Sequence, residues 1–95
     1  RKMGPTLKSI IAYLLNHRCI GGKHFPEHKL IISKTKWITK NEKRAFEGEY
    51  KGILNEGLII RLLKRTGKSS EFHISLNPKM LDELKKIIEE GDDHE

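Results

Sequence analysis

The sequence predicts one small α+β domain in which three helices precede a two-stranded β-hairpin and a fourth helix follows it, in the order α-α-α-β-β-α. Apolar residues recur at helical spacing in three segments, and one six-residue segment alternates between apolar and polar side chains. The 95 residues fit a single core, because domains usually hold about 50–200 residues. We therefore expect a domain over residues 1–88 and a disordered acidic tail over 89–95.

The first helix is predicted to run from Pro5 to about Arg18. Proline suits the first turn of a helix, and Gly21-Gly22 ends the segment that follows. The residues expected to face the core share the spacing of one helix face: Leu7, Ile10, Ile11, Leu14 and Leu15.

A second, shorter helix is predicted to open at Pro26-Glu27. Its apolar residues, Leu30–Ile32, form one continuous run and therefore define no period. The segment Lys34–Ile38 follows as a basic connector, in which Trp37 and Ile38 are expected to anchor the chain in the core.

The third helix is predicted from Lys40 to Glu56. Thr39 and Glu42 have the T-x-x-E spacing in which a hydroxyl and a carboxylate satisfy free backbone donors at a helix start. Gly57 stands where a left-handed residue closes a helix. The expected inner face is Phe46, Tyr50 and Ile53, and the opposite face is Lys40, Asn41, Arg44, Glu47, Gly48, Lys51 and Asn55.

The remaining chain predicts a hairpin and a helix. Leu58–Lys64 is the first strand, Arg65–Ser70 a basic turn and Glu71–Leu76 the second strand. Asn77-Pro78 is a cap and a first-turn proline. In the second strand Phe72, Ile74 and Leu76 are expected on the inner side and Glu71, His73 and Ser75 on the outer side. The last helix carries the stripe Met80, Leu81, Leu84, Ile87 and Ile88.

The charge of the chain indicates a polyanionic partner. The net charge is +6, and residues 1–88 carry 19 bases against eight acids, or +11. Such a field attracts nucleic acid first and an anionic membrane surface second. No apolar run approaches the ~20 residues of a membrane span, so we expect no membrane insertion. Cys19 is the only cysteine, which fits a reducing compartment: the cytoplasm, near the nucleoid, in a prokaryote, or the nucleus in a eukaryote.

Two short segments carry a resemblance to a known family. Ile53–Ile59, with the sequence ILNEGLI, resembles the L-x-x-x-G-L-I junction between a recognition helix and the first wing strand. Ile74–Pro78, with the sequence ISLNP, resembles the Y-x-L-T/N-P end of a second wing strand. Together with the three preceding helices, they make residues Leu7–Leu84 resemble the winged helix-turn-helix superfamily. The connector before the third helix is longer than the tight turn usual in that family.

The resemblance implies a double-stranded DNA-binding protein, most often a transcriptional regulator, whose third helix enters the major groove and whose hairpin tip contacts the backbone. Arg44 suits guanine, Asn41 suits adenine, and Glu47 suits the cytosine amino group or an ion pair on its own helix. Gly48 leaves a smooth surface for close approach, or else marks a bend. The residues expected at phosphates are Lys34, Lys36, Lys40, Lys43, Lys51, Arg65 and Lys68. A homodimer through the first and fourth helices would suit a palindromic site.

Other functions are weighed on the same residues. Cys19, His24 and His28 have the spacing C-x4-H-x3-H, but one thiolate with imidazoles is unlike a structural zinc site, so we predict no metal and no cofactor. No nucleophile, P-loop or H-E-x-x-H motif is present, so we predict no enzymatic activity. Two alternatives stay open: a protein assembly module of the same fold, and an RNA-binding domain with Trp37, Phe25 or Tyr50 stacking on unpaired bases.

Overall fold

The computed structural model describes residues 3–90, which form an α+β fold with four α-helices and a three-stranded antiparallel sheet. The α+β class is thereby confirmed. The elements in chain order are α1 (Pro5–Asn16), β1 (Phe25–Pro26), α2 (Glu27–Thr35), α3 (Lys40–Glu56), β2 (Ile59–Thr66), β3 (Ser69–Leu76), a 3₁₀ turn (Pro78–Met80) and α4 (Leu81–Glu90).

The element order differs from the predicted α-α-α-β-β-α because strand β1 stands between α1 and α2. The sheet order is β1-β3-β2, which places β3 in the centre. Phe25 pairs with Ile74 and Pro26 with His73. A strand of two residues shows no alternation, so only its partner β3 reveals it. Pro26 is tolerated there because β1 is an edge strand.

The core lies between α1 and the other elements, since α1 packs against α2, α3, α4 and β3. Four of the five residues predicted for the inner face of α1 are buried, and Leu15 is half-buried. Helix α4 contributes Leu84 and Ile87. The helix α1 ends at Asn16, two residues before the predicted end, and Arg18 then adopts a left-handed conformation with φ 55°.

Helix α3 has the predicted bounds and the predicted caps. The Glu42 N–H donates to the Thr39 hydroxyl oxygen at 3.1 Å, and the Thr39 N–H donates to the Glu42 carboxylate at 2.8 Å. Gly57 closes the helix with φ 81°. The three residues predicted for its inner face, Phe46, Tyr50 and Ile53, are buried.

The connector before α3 is shorter than predicted, and Trp37 is not a core anchor. Helix α2 continues to Thr35, whose hydroxyl donates to the Ile31 carbonyl at 2.7 Å, so only residues 36–39 remain as a turn. Trp37 is 92% exposed, whereas Ile38 is half-buried. The expectation failed because a turn this short between two helix ends directs one of two adjacent side chains away from the core.

The hairpin is also tighter than predicted. Thr66 and Ser69 are the last pair of the β2–β3 ladder, so Arg65 belongs to β2 and the turn is Gly67-Lys68, with Gly67 at φ 55°. His73 was expected to face outward, but it is only 7% exposed because β1 and the chain before it cover this end of β3.

Other residues of β3 also depart from the alternation. Ser75 was expected on the outer side, yet it is buried. Phe72 shares a sheet face with Ile74 as predicted, but it is 45% exposed because the hairpin extends beyond the core at that point.

Within residues 3–90, no helix is long and apolar enough to cross a lipid bilayer. Glu89 and Glu90, which we assigned to the acidic tail, form the end of α4. The rest of that tail, 91–95, lies outside the described residues.

Candidate nucleic-acid interface

A short turn joins helices α2 and α3. Their connection is residues 36–39, and helix-turn-helix units use turns of about 3–4 residues. Helix α3 has 17 residues, so it is about 25 Å long. Because Phe46 and Ile53 face the core, the 100° rotation per residue directs Arg44, Gly48 and Lys51 away from it. Helix α3 thus presents a continuous outer face along its length.

The predicted site residues are accessible, with one exception. Those in the α2–α3 turn, on α3 and on the hairpin are exposed: Lys36, Lys40, Asn41, Lys43, Arg44, Glu47, Gly48, Lys51, Arg65 and Lys68. The exception, Lys34, is half-buried at the end of α2, and its ammonium group lies 5.3 Å from the centroid of the Tyr13 ring. That distance is within the range of a cation–π contact, so Lys34 already has an internal partner.

Most acidic side chains between Lys23 and Lys68 form hydrogen bonds or ion pairs within the domain. Glu42 is part of the α3 cap. Both carboxylate oxygens of Glu49 accept from the backbone N–H of Gly4, at 3.1 Å each, at the start of α1. A carboxylate is favourable there because the N-terminus of a helix carries a partial positive charge. These two acids consequently serve the fold at helix N-termini.

Apart from Arg61, which pairs with Glu27, the bases on α3, in the turn before it and on the hairpin have no acidic partner among the described residues. Among the described residues, no ion pair is formed by Lys36, Lys40, Lys43, Arg44, Lys51, Lys64, Arg65 or Lys68. Glu47, which has helical spacing to Lys43 and Lys51, pairs with neither. Lys40 and Arg44 stand four residues apart, where like charges cost about 0.2–0.5 kcal/mol. The outer face of α3 therefore has uncompensated positive charge.

Gly48 lies in the middle of this face. A Cβ added at Gly48 would have no atom within 4 Å, and the same holds for Gly52. The packing of this domain thus does not require glycine at either position. Helix α3 runs unbroken through both residues, so the glycines do not split it.

A polar cluster of the buried Glu27 and Tyr50 and the partly exposed Arg61 joins α3 to α2 and β2. The Tyr50 hydroxyl donates to Glu27 Oε2 at 2.6 Å. Arg61 donates to the same oxygen from Nε at 2.9 Å and lies 2.8 Å from it through Nη2. Burial, and then the hydrogen bond to Glu27, raise the pKa of Tyr50 above its ordinary value. Sequence reasoning missed this cluster, because no local pattern distinguishes Glu27 from a helix-start acid.

An open groove separates the C-terminal half of α3 from β2. It measures about 490 Å³ and is lined by Lys51, Asn55, Ile60 and Arg61 among others. Lys51 and Arg61 also line the adjoining groove of about 360 Å³ that reaches Glu27. The outer face of α3 and the base of the hairpin therefore border one depression. Asn55 and Arg61 were not predicted as site residues, although Asn55 was placed on the correct helix face.

The hairpin projects from this depression. Strand β2 has eight residues, so it extends about 25 Å. Arg65 and Lys68 are exposed at its far end. Leu63 and Phe72 form a cross-strand pair, each 45% exposed, and the Arg61 guanidinium lies 4.8 Å from the centroid of the Phe72 ring. Two of the bases expected at phosphates, Arg65 and Lys68, thus lie at the tip of the hairpin.

The cysteine and the histidines of residues 3–90 do not come together as a group of metal ligands. Within residues 3–90, no group of three or more potential ligands comes together. Cys19 is buried, with its thiol 3.9 Å from the His17 carbonyl oxygen. His24 Nδ1 instead lies 2.8 Å from His73 Nδ1, and His73 Nε2 lies 3.1 Å from Glu71. These contacts tie the chain before β1 to strand β3.

Comparison of the chain with protein-family models, with curated proteins and with solved structures gave no match.

Proposed function

We propose that this protein is a winged-helix domain that binds double-stranded DNA, with α3 as the reading helix and the β2–β3 hairpin as the wing. The observation that carries the proposal is the cationic outer face of α3, a helix that follows α2 after a turn of residues 36–39. A face of this kind attracts phosphates, and α3 in a helix-turn-helix is the helix that enters the major groove. Transcriptional regulation is the role we propose for it.

The proposed contacts divide between bases and backbone. Arg44 donates two hydrogen bonds to guanine, and Asn41 pairs with adenine. Gly48 allows the backbone of α3 to approach the groove floor. Lys51, which lines the groove between α3 and β2, and Arg65, near the hairpin tip, contact phosphates. Pairing of two copies through α1 and α4 would place two α3 helices one DNA turn apart.

Charge reversal on α3 tests the proposal. Arg44 and Lys51 are seven residues apart, so they lie about 10.5 Å apart along the axis and within about 20° of each other. For about six phosphate contacts, log K should fall with log salt at a slope near −5. Arg44→Glu with Lys51→Glu removes the proposed guanine contact and one phosphate contact, so the slope should weaken by about 0.9 and the affinity should fall at every salt concentration. A gel-shift titration with random duplex DNA measures both.

The matched control is Lys23→Glu with Lys79→Glu, in the loop before β1 and in the 3₁₀ turn, where both lysines are exposed. This variant changes the net charge by the same amount as the α3 variant. If α3 forms the interface, the control should bind DNA with near-normal affinity. Equal losses in the two variants would show that only net charge matters, and the α3 interface would be wrong. A salt-independent affinity of the unaltered protein would favour the assembly-module alternative.

A further inference from the structure

Trp37 is the most exposed of the large apolar side chains among the described residues. Its side chain is 92% exposed, and it is the only tryptophan of the chain. In the described part of the chain, the indole takes part in no ring contact and no hydrogen bond. Both faces of the ring are therefore available to a ligand.

The segment that carries Trp37 is held at both ends. On one side, the Thr35 hydroxyl bonds to the Ile31 carbonyl at the end of α2. On the other side, the reciprocal bonds of Thr39 and Glu42 hold the start of α3. A side chain on a short, supported turn loses little conformational freedom on binding, which favours its use as a contact.

The positive charge around Trp37 favours a polyanionic partner. Lys36 precedes it and Lys40 begins α3, and both are exposed and form no ion pair within residues 3–90. An aromatic ring between cations is the pattern that binds nucleic-acid single strands, because the bases stack while the cations hold the backbone.

The other aromatic residues considered for stacking are unavailable. Tyr50 is 5% exposed and hydrogen-bonded to Glu27, and Phe25 packs edge-on against Tyr13.

We infer that Trp37 stacks on an unpaired base next to the duplex held by α3, so that the preferred ligand is a duplex with a single-stranded extension. This inference rests on the proposed function. A base inside a duplex is covered on both faces by its neighbours, and exposing it costs unstacking energy. The first unpaired base beyond a duplex end has a free face, which the indole can cover.

The experiment compares three ligands: a short blunt duplex, the same duplex with an oligothymidine extension, and the extension strand alone. Fluorescence anisotropy of labelled DNA measures affinity, and tryptophan emission reports on Trp37 alone because the chain has one tryptophan. The extension should raise the affinity by about five- to 150-fold and quench the emission. Trp37→Ala should remove this gain and leave the affinity for the blunt duplex unchanged. Ile32→Ala, the control at an exposed apolar residue on α2, should keep the gain.

Each other outcome has a definite meaning. Equal affinity for blunt and extended duplex, with unquenched emission, overturns the inference and leaves the proposed function in place. A Trp37→Ala variant that loses affinity equally for both duplexes also overturns it. No binding to any ligand overturns the inference together with the proposed function. Quenching by the single strand alone, at the affinity of the extended duplex, overturns the inference because the duplex then adds nothing to binding, and it also contradicts duplex reading by α3.

Discussion

Removal of the Tyr50 hydroxyl tests whether the buried cluster holds α3 against α2 and β2. Tyr50→Phe deletes the 2.6 Å bond to Glu27 and keeps the ring in the core. A hydrogen bond to a charged group contributes about 1.5–3 kcal/mol. Glu27 Oε2 keeps its contacts with Arg61, so the loss should be near the lower end, about 1.5–2 kcal/mol. For a domain of this size, each kcal/mol lowers Tm by about 4–8 °C, which predicts a fall of about 6–16 °C.

A double-mutant cycle with Glu27→Leu isolates the interaction. The single Glu27→Leu variant leaves the Tyr50 hydroxyl buried without a partner, at a cost of about 1–3 kcal/mol, whereas the guanidinium of Arg61 is 38% exposed and can be hydrated. The double variant should therefore lose about 1.5 kcal/mol less than the sum of the singles. Urea unfolding followed by circular dichroism is the suitable assay, because the exposed Trp37 reports poorly on the core. A coupling below about 0.5 kcal/mol would refute this account of the cluster.

Three further predictions concern Gly48, Gly57 and the dependence of stability on pH. Gly48→Ala should raise the free energy of unfolding by about 0.5–1 kcal/mol, because its Cβ meets no neighbour, and should weaken duplex binding by filling the outer face of α3. Gly57→Ala should lower that free energy by about 1–2 kcal/mol because φ is 81°, and stabilisation at Gly57 would contradict the assigned cap. The raised pKa of Tyr50 means that the folded state keeps a phenol proton that the unfolded state releases above pH 10.0, so stability should fall as the pH rises past that value. At pH 11 the unaltered protein should have lost about 1 kcal/mol more of its stability than Tyr50→Phe, and parallel stability curves for the two proteins would contradict the shift.

The parts of the fold that were predicted correctly are those with local causes. The bounds of α3 depend on a capping box at Thr39 and Glu42 and on Gly57, all within one helical turn of the ends they define. The apolar stripe of α1 was likewise predicted, because its period is a property of the helix itself.

The sequence predicted which side chains of the candidate site are exposed, but not the contacts that some of them make with distant parts of the chain. The exposure of Arg44 and Lys51 followed from the rotation of one helix. Glu27 pairs with Tyr50, which is 23 positions away, and with Arg61, which is 34 positions away. No local sequence pattern predicts contacts over such separations. The same holds for the contact of Lys34 with Tyr13, which reduces the part that this lysine can take in an interface.

The sequence by itself determined the α+β class, the helix stripes and the excess of positive charge, because helical period, capping and composition operate over a few neighbouring residues. Only the tertiary structure decided that β1 covers the end of β3, that His73 is buried and that Trp37 faces solvent. A side chain is buried when a segment distant in sequence packs over it, and which segment does so depends on the three-dimensional path of the chain.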